Sequence, residues 1–531
     1  MTNVTSAGKV LVGEPAPEAA SAPGLVSVLF DTARADAGQA AVQPAHFTDL
    51  RLDQIVERVV AGRAEYELAP HFYAPMTTVE SIEYRQAVFR DLDQKDVLDA
   101  VRSFSGEMRE VRRRLATEAK LRHVHQAQAW FLDAVTVYLG AVSTLTEDLH
   151  RARLRSPAAL GLLDHLDAYL ASEPYLRLAG EARSLRQALS DLSYTLLIRG
   201  DRVTVDRYSD EADYSVEVEA TFQRFQQREA KNYLMELTTS SFMNHVEEAI
   251  LDRVARLFPE VFGPLSEFCA VHRDFMDPTV ARFDREVQFY VAYLEYVEPL
   301  RRADLPFCYP VVSATKQLAA THAFDLALAH DLVQANAPVV CNDFELRGDE
   351  RIFVVTGPNQ GGKTTFAKTL GQLHHLGSLG CPVPGREAHL TLPDRIFTHF
   401  ERQERVEDLR GKLESDLVRV RTILEQATSQ SVVLMNEVFS STTFEDALWL
   451  SERVLRRMIE LDLVGVWVTF IDELTSLGPQ TVSLVAGIDP QDAARRTFVV
   501  ERRPADGLAY AEAIARKHDL TYAQLEGRLQ P

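Results

Sequence analysis

Arg351-Ile352-Phe353-Val354-Val355-Thr356 runs without a break into Gly357-Pro358-Asn359-Gln360-Gly361-Gly362-Lys363-Thr364-Thr365. The first six residues, rich in β-branched and aromatic side chains, read as a buried strand, and the chain from Thr365 onward reads as a helix. Between them stands G-x-x-x-x-G-K-[ST], a phosphate-binding loop in the strand-to-helix setting it needs. Glycines let successive backbone amides turn inward on phosphates, and the helix N-terminus adds partial positive charge. Lys363 is expected to meet the terminal phosphates of ATP and the Thr364 hydroxyl to ligate Mg²⁺. Gly357, Pro358, Asn359, Gln360, Gly361, Gly362 and Thr365 complete the expected cradle. The bland alternative, a glycine turn with a solvated lysine, does not account for the strand before and the helix after.

A second stretch supports this reading. Ser431-Val432-Val433-Leu434-Met435-Asn436-Glu437 is an apolar strand that ends in a polar pair. Such a pair brings a metal-associated group and a water-orienting carboxylate to the C-terminal edge of a sheet. Glu437 is the candidate catalytic base, and Asn436 joins Thr364 as a candidate Mg²⁺ residue. A solvated strand-end carboxylate is the competing view of Glu437, but the following Ser440-Ser441-Thr442-Thr443 can line a polar loop facing the nucleotide. The first residue of such a pair is usually Asp. The Asn436 amide oxygen can still accept from a metal-bound water, without a formal charge.

Outward from the site, the expected fold is multi-domain α and α/β. Residues 1–45, rich in Ala, Pro, Gly and Ser, read as a mostly disordered leader whose one apolar piece is Gly24–Phe30. Order is expected from about Leu52. Thr77-Thr78-Val79-Glu80 after Pro75 fits a capping box led by Thr77. Long helices are expected from about Asp91 to Ser193 and from about Phe222 to Leu300, the latter ended by Pro299. A small hairpin near 195–206, turning at Gly200-Asp201, separates them. Residues 46–302 therefore read as a helical region and 303–531 as the P-loop ATPase domain.

The four cysteines show no C-x-x-C spacing, which suits a reducing compartment and buried apolar roles. No apolar run approaching the roughly 18 residues of a membrane span is read, so the expectation is a cytoplasmic protein without a membrane partner. A net charge of -20 argues against a uniformly basic nucleic-acid coat, though not against a local basic groove. Arg112-Arg113-Arg114 could form such a groove, but Glu107, Glu110 and Glu118 around it favour a solvated helix face. The pairs His123/His125 and His374/His375 do not share a helix face and suit packing better than metal binding. Phe289, Tyr290, Tyr293 and Tyr296 recur at core spacing and favour packing over base stacking. Trp130-Phe131 lies in a helical segment without an assigned role.

Thr356-Gly357-Pro358-Asn359-Gln360-Gly361-Gly362-Lys363-Thr364-Thr365 is similar to the TGPNMGGKST form of the MutS family of DNA mismatch-repair ATPases. Asp394-Arg395-Ile396-Phe397-Thr398 resembles that family's DRIFT segment. Ile423-Leu424-Glu425-Gln426-Ala427-Thr428 precedes the second strand as it does there, and Phe470-Ile471-Asp472-Glu473-Leu474 resembles its strand-end HYFEL-like stretch. Ile82-Glu83-Tyr84-Arg85-Gln86 resembles part of its core and lever helices. The resemblance implies a long-helix core and lever region followed by an ABC-like ATPase domain. It also implies a homodimer sandwiching two ATP molecules and levers that move around double-stranded DNA; as a departure from the family, the leader is expected to be too short for a mismatch-reading domain, making this a short form. Departures are Asn436 for the family's aspartate, Phe470 for its strand-end histidine and Val339 for an adenine-stacking aromatic. Gly411-Lys412-Leu413-Glu414-Ser415-Asp416 stands where the family presents a serine to the partner's nucleotide. Two readings follow: a slowly hydrolysing DNA-associated ATPase, or a nucleotide-gated scaffold with little hydrolysis and no DNA requirement.

Overall fold

The computed structural model describes residues 27–31, 42–200, 202–209, 243–400, 411–489 and 495–505. The chain mixes a helical region with α/β elements and several sheets. Helices Lys95–Glu118 and Val124–Arg151 fold back on one another through a short connection and pack along their length. The second is long and apolar enough to cross a membrane by length and composition alone, and half of its apolar window is buried inside the protein, as in a core helix. Its threonines and glycine interrupt the apolar run without lowering its average far. Phe131, Val135, Tyr138, Val142 and Leu145 on this helix are buried in the bundle.

Helix Pro278–Arg302 runs through the middle of the helical region and is buried on nearly every side, Phe289, Tyr290 and Tyr293 completely so. It continues one turn beyond the expected stop at Pro299. That proline sits in the last turn, and Ala303 N closes the end by donating to Pro299 O and Leu300 O. Helix Val79–Leu92 is capped by Thr78 rather than Thr77: Ser81 N donates to Thr78 Oγ1 at 3.3 Å, and that hydroxyl donates to Ser81 Oγ at 2.9 Å. Ser81 at the third helical position gives Thr78 a reciprocal partner.

Strands Tyr194–Arg199 and Arg202–Arg207 pair antiparallel in the expected hairpin. Asp201 of its turn lies outside the described residues, as do Phe222 and most of the expected leader. Part of that leader is ordered: Val28 and Leu29 are buried, and Tyr84 Oη donates to Ser27 O at 2.6 Å. Glu286 Oε2 accepts from both Ser27 Oγ and Val28 N at 2.8 Å. The apolar piece therefore enters the core although its surroundings in sequence read as disordered.

A six-stranded sheet carries the second half. Strands Ile396–Phe400, Val432–Asn436, Val464–Val468, Ile352–Thr356 and Thr481–Ile488 lie parallel in that spatial order, and Arg496–Arg502 adds an antiparallel edge. Alternation along each strand divides the core in two. Phe353, Val355, Leu434 and Val466 face one apolar cluster, while Ile352, Val354, Val433 and Trp467 face the other. Helix Lys363–Ser378 covers the first face. Helices Lys412–Gln426 and Phe444–Glu460 contribute to the second.

The short helices His46–Leu50 and Leu52–Val60, early in the chain, also reach the sheet domain. A Cβ on Gly371 would stand 2.6 Å from Leu50 Cδ2 and 2.7 Å from Leu434 Cδ1, so the missing side chain permits this three-way approach.

Candidate nucleotide site

The loop leaves the C-terminal end of Ile352–Thr356, and the following helix begins at Lys363. Gly357 (φ 115°), Gln360 (φ 59°) and Gly362 (φ 96°) take left-handed backbone conformations. Position 357 needs glycine for a second reason: a Cβ there would stand 2.9 Å from Ala486 O on the neighbouring strand.

Lys363 is buried, and its Nζ donates to Gly357 O at 3.0 Å and Pro358 O at 3.1 Å. Burial lowers its pKa from the ordinary lysine value; the Glu437 carboxylate opposes that shift, and Arg496 adds to it. The ammonium also lies 4.2 Å from the centroid of the Phe470 ring.

Strand register brings the remaining candidates level with the loop. Asn436 pairs with Val468, which pairs with Val355. Thr364 Oγ1 donates to Asn436 Oδ1 at 2.9 Å, joining the two candidate Mg²⁺ residues directly. Holding the hydroxyl proton this way leaves the oxygen's lone pairs for a cation, so the donor set fits a magnesium site. Glu437 follows with φ 52°, its amide donating to Val468 O at 2.9 Å. This left-handed residue ends the strand abruptly and releases the carboxylate from the sheet edge. In the loop beyond, Thr443 caps helix Phe444–Glu460, and its hydroxyl donates to Asp446 Oδ2 at 2.8 Å. Thr443 thus has a structural task within the stretch expected to face the nucleotide.

A cavity of about 280 Å³ opens beside Gly362, lined among others by Phe324, Val339, Asn342, Thr365 and Phe498. Phe498 has φ 60° and is half exposed. One side chain holds this backbone: Asn342 Nδ2 donates to Phe498 O at 3.3 Å, and Val500 N donates to Asn342 Oδ1 at 2.6 Å. Arg496 Nε donates to Asn359 O of the loop at 3.2 Å. Sequence reasoning missed Asn342, Arg496 and Phe498, which lie on other strands and carry no local signal. It singled out Val339 by position, and Val339 does line this cavity.

The other candidates have structural partners. Arg112 bonds to Asp284 and Tyr66, Arg113 to Glu110, and Arg114 to Glu110 and Asp133. His123 caps its helix and pairs with Asp252, while His374 and His375 are buried in the helix behind the loop. Gly411 is the N-cap of Lys412–Gln426, and Asp416 Oδ1 lies 3.2 Å from His399 Nε2.

Residues 353–500 match the family model described as MutS domain V, a span that takes in the phosphate loop, Asn436, Glu437, Phe470 and Phe498. This stretch of the chain is similar to MutS domain V. All four short resemblances in this half, at 356–365, 394–398, 423–428 and 470–474, fall inside the matched span. Endonuclease MutS2 of Thermus thermophilus is 31% identical over 185 residues, which cover 34% of this chain and 24% of that relative. The MutS match thus spans about a quarter of that curated protein's length. Within the matched span, Asp394 accepts from Thr428 Oγ1 at 2.7 Å and Ser431 Oγ at 2.8 Å, tying two of the resembling segments together.

Proposed function

We propose that this chain is an ATP-binding, slowly hydrolysing, DNA-associated ATPase that works as a homodimer in the cytoplasm. In this reading residues 303–531 form an ABC-like ATPase domain, and 46–302 form a helical core and lever region. The observation that carries the proposal is the 2.9 Å contact from Thr364 Oγ1 to Asn436 Oδ1, beside Lys363 and with Glu437 next in the chain.

The loop amides and Lys363 bind and orient the phosphates, and the cavity beside Gly362 receives the base against Phe498. Thr364, with Asn436 behind it, would hold Mg²⁺, which supplies positive charge to the phosphate oxygens when bound. Glu437 accepts a proton from the attacking water and aligns it with the terminal phosphorus. Asn436 gives the ion no formal negative charge, so turnover is slow.

Asn436 and the chain's net charge of -20 favour a second reading, the nucleotide-gated scaffold that needs no DNA. ATP turnover with and without duplex DNA separates the two. Stimulation by DNA supports the first reading; nucleotide binding without turnover, indifferent to DNA, supports the second.

A further inference from the structure

We propose that Phe470 is a ring gate on Lys363, a specificity element of the nucleotide site that phosphates must turn aside to bind. The inference rests on the ATP-site reading above and adds a residue with no part in phosphate-loop chemistry. An ammonium has three protons. Gly357 O and Pro358 O, at 3.0 and 3.1 Å, take two of them. The face of Phe470, its centroid 4.2 Å from Nζ, lies against what remains. A phosphate oxygen would have to approach the same nitrogen to about 2.8 Å. On that side it would collide with the ring, whose carbons need about 3.5 Å. Ring and phosphate therefore compete for one proton.

The surroundings allow the ring to move while the backbone stays. Thr469 N donates to Val355 O of the sheet at 3.1 Å, and Ile471 N donates back to Thr469 Oγ1 at 3.0 Å, so backbone bonds hold the chain on both sides of Phe470. Thr469 and Ile471 are buried, whereas Phe470 is 49% exposed. Rotation of one side chain toward solvent uncovers Lys363 without disturbing the strand. The closed ring holds the ammonium over its loop and covers it from water, so binding must overcome a cation–π contact.

The test compares Phe470→Leu and Phe470→Trp with the unaltered full-length protein, titrating ADP and a non-hydrolysable ATP analogue in the presence of Mg²⁺. A partly desolvated cation–π contact corresponds to roughly 2- to 30-fold in affinity. Phe470→Leu should tighten analogue binding within that range, and Phe470→Trp, with a stronger π face, should weaken it. In a Lys363→Met background, with the titration carried to analogue concentrations high enough to define both dissociation constants, the affinity difference between Leu and Phe at position 470 should vanish. A merely structural role would not give an order that follows π-face strength. Weaker binding by Phe470→Leu, or no change, overturns the gate. Absence of nucleotide binding by the unaltered protein would instead overturn the ATP-site reading itself.

Discussion

Replacing Asn436 by Asp puts a charge where the structure has an amide. Its Oδ1 already accepts from Thr364 Oγ1 at 2.9 Å, and the side chain is buried, so the carboxylate would inherit a formed hydrogen bond and a desolvated position. With a divalent ion about 4 Å away and an effective dielectric constant near 20, the gross attraction is about 8 kcal/mol. Burying a carboxylate costs several kcal/mol. The net gain expected is about 1.5–3 kcal/mol, or roughly ten- to a hundred-fold tighter Mg²⁺ binding in the presence of ATP. Without the ion the same charge is uncompensated, so the variant should be less stable than the unaltered protein in EDTA. Mg²⁺ titrations at fixed ATP and melting curves with and without EDTA measure both effects. Glu437→Gln, by contrast, should bind Mg²⁺-ATP normally and lose hydrolysis in single-turnover experiments. Unchanged Mg²⁺ affinity in Asn436→Asp, or hydrolysis at the unaltered rate in Glu437→Gln, would refute the assignment of this pair.

Lys363→Ala should weaken ATP binding at least ten-fold in a binding titration, because it removes the ammonium that Gly357 O and Pro358 O hold over the site. The protein should sediment as a dimer at micromolar concentration, more strongly with ATP and Mg²⁺, since a partner closing the nucleotide's outer face would bind the loaded form preferentially; a monomer under both conditions counts against the homodimer. Stability should fall as pH drops from about 6.5 toward 4. Burial lowers His46 to about 3 and His71, His374 and His375 to about 4, so the unfolded chain binds more protons throughout that window. Each ring contributes on the order of 3 kcal/mol by pH 4, and urea midpoints that stay level from pH 7 to 4.5 would contradict this.

Legibility in the sequence followed the range of the interaction. The phosphate loop is a local object: its glycines, lysine and threonine lie in consecutive positions, and the backbone conformation they require is written in the same residues. The strand that ends at Asn436 was legible for a similar reason, a strand and its end in one short run. Contact between Thr364 and Asn436, 72 positions apart, follows once both strands enter one parallel sheet in register. The cavity beside Gly362 was not legible, because it combines Phe324, Asn342 and Phe498 from separate elements. An aromatic residue at positive φ gives no sequence signal when the side chain holding it, Asn342, lies 156 positions away. Ser27–Phe30 misled for the complementary reason: composition averages over a segment, while four residues suffice to fill a groove. In the helix at Thr78, two adjacent threonines were chemically equivalent caps, and Ser81 decided between them.

The helix that begins at Lys363 also explains why early residues matter to a late site. Its far half is held by the first part of the chain: Gln372 Nε2 donates to Leu50 O at 2.9 Å, and His375 Nε2 lies 2.8 Å from Phe72 O. Met76 N donates to Ser378 O at 2.8 Å, and Arg85 Nη1 to Leu379 O at 3.3 Å. Arg85 is wholly buried, lies between the rings of Phe30 and Phe289, and also donates to Leu29 O at 3.0 Å. One rigid helix thus has the phosphate loop at its N-terminus and, toward its C-terminus, bonds to Leu50, Phe72, Met76 and Arg85. Any rotation of that helix on phosphate binding must either carry those residues with it or break hydrogen bonds that buried groups cannot replace with water. Carrying them is the less costly course, so residues 46–85 are the first part of the helical region that a change at the loop would move.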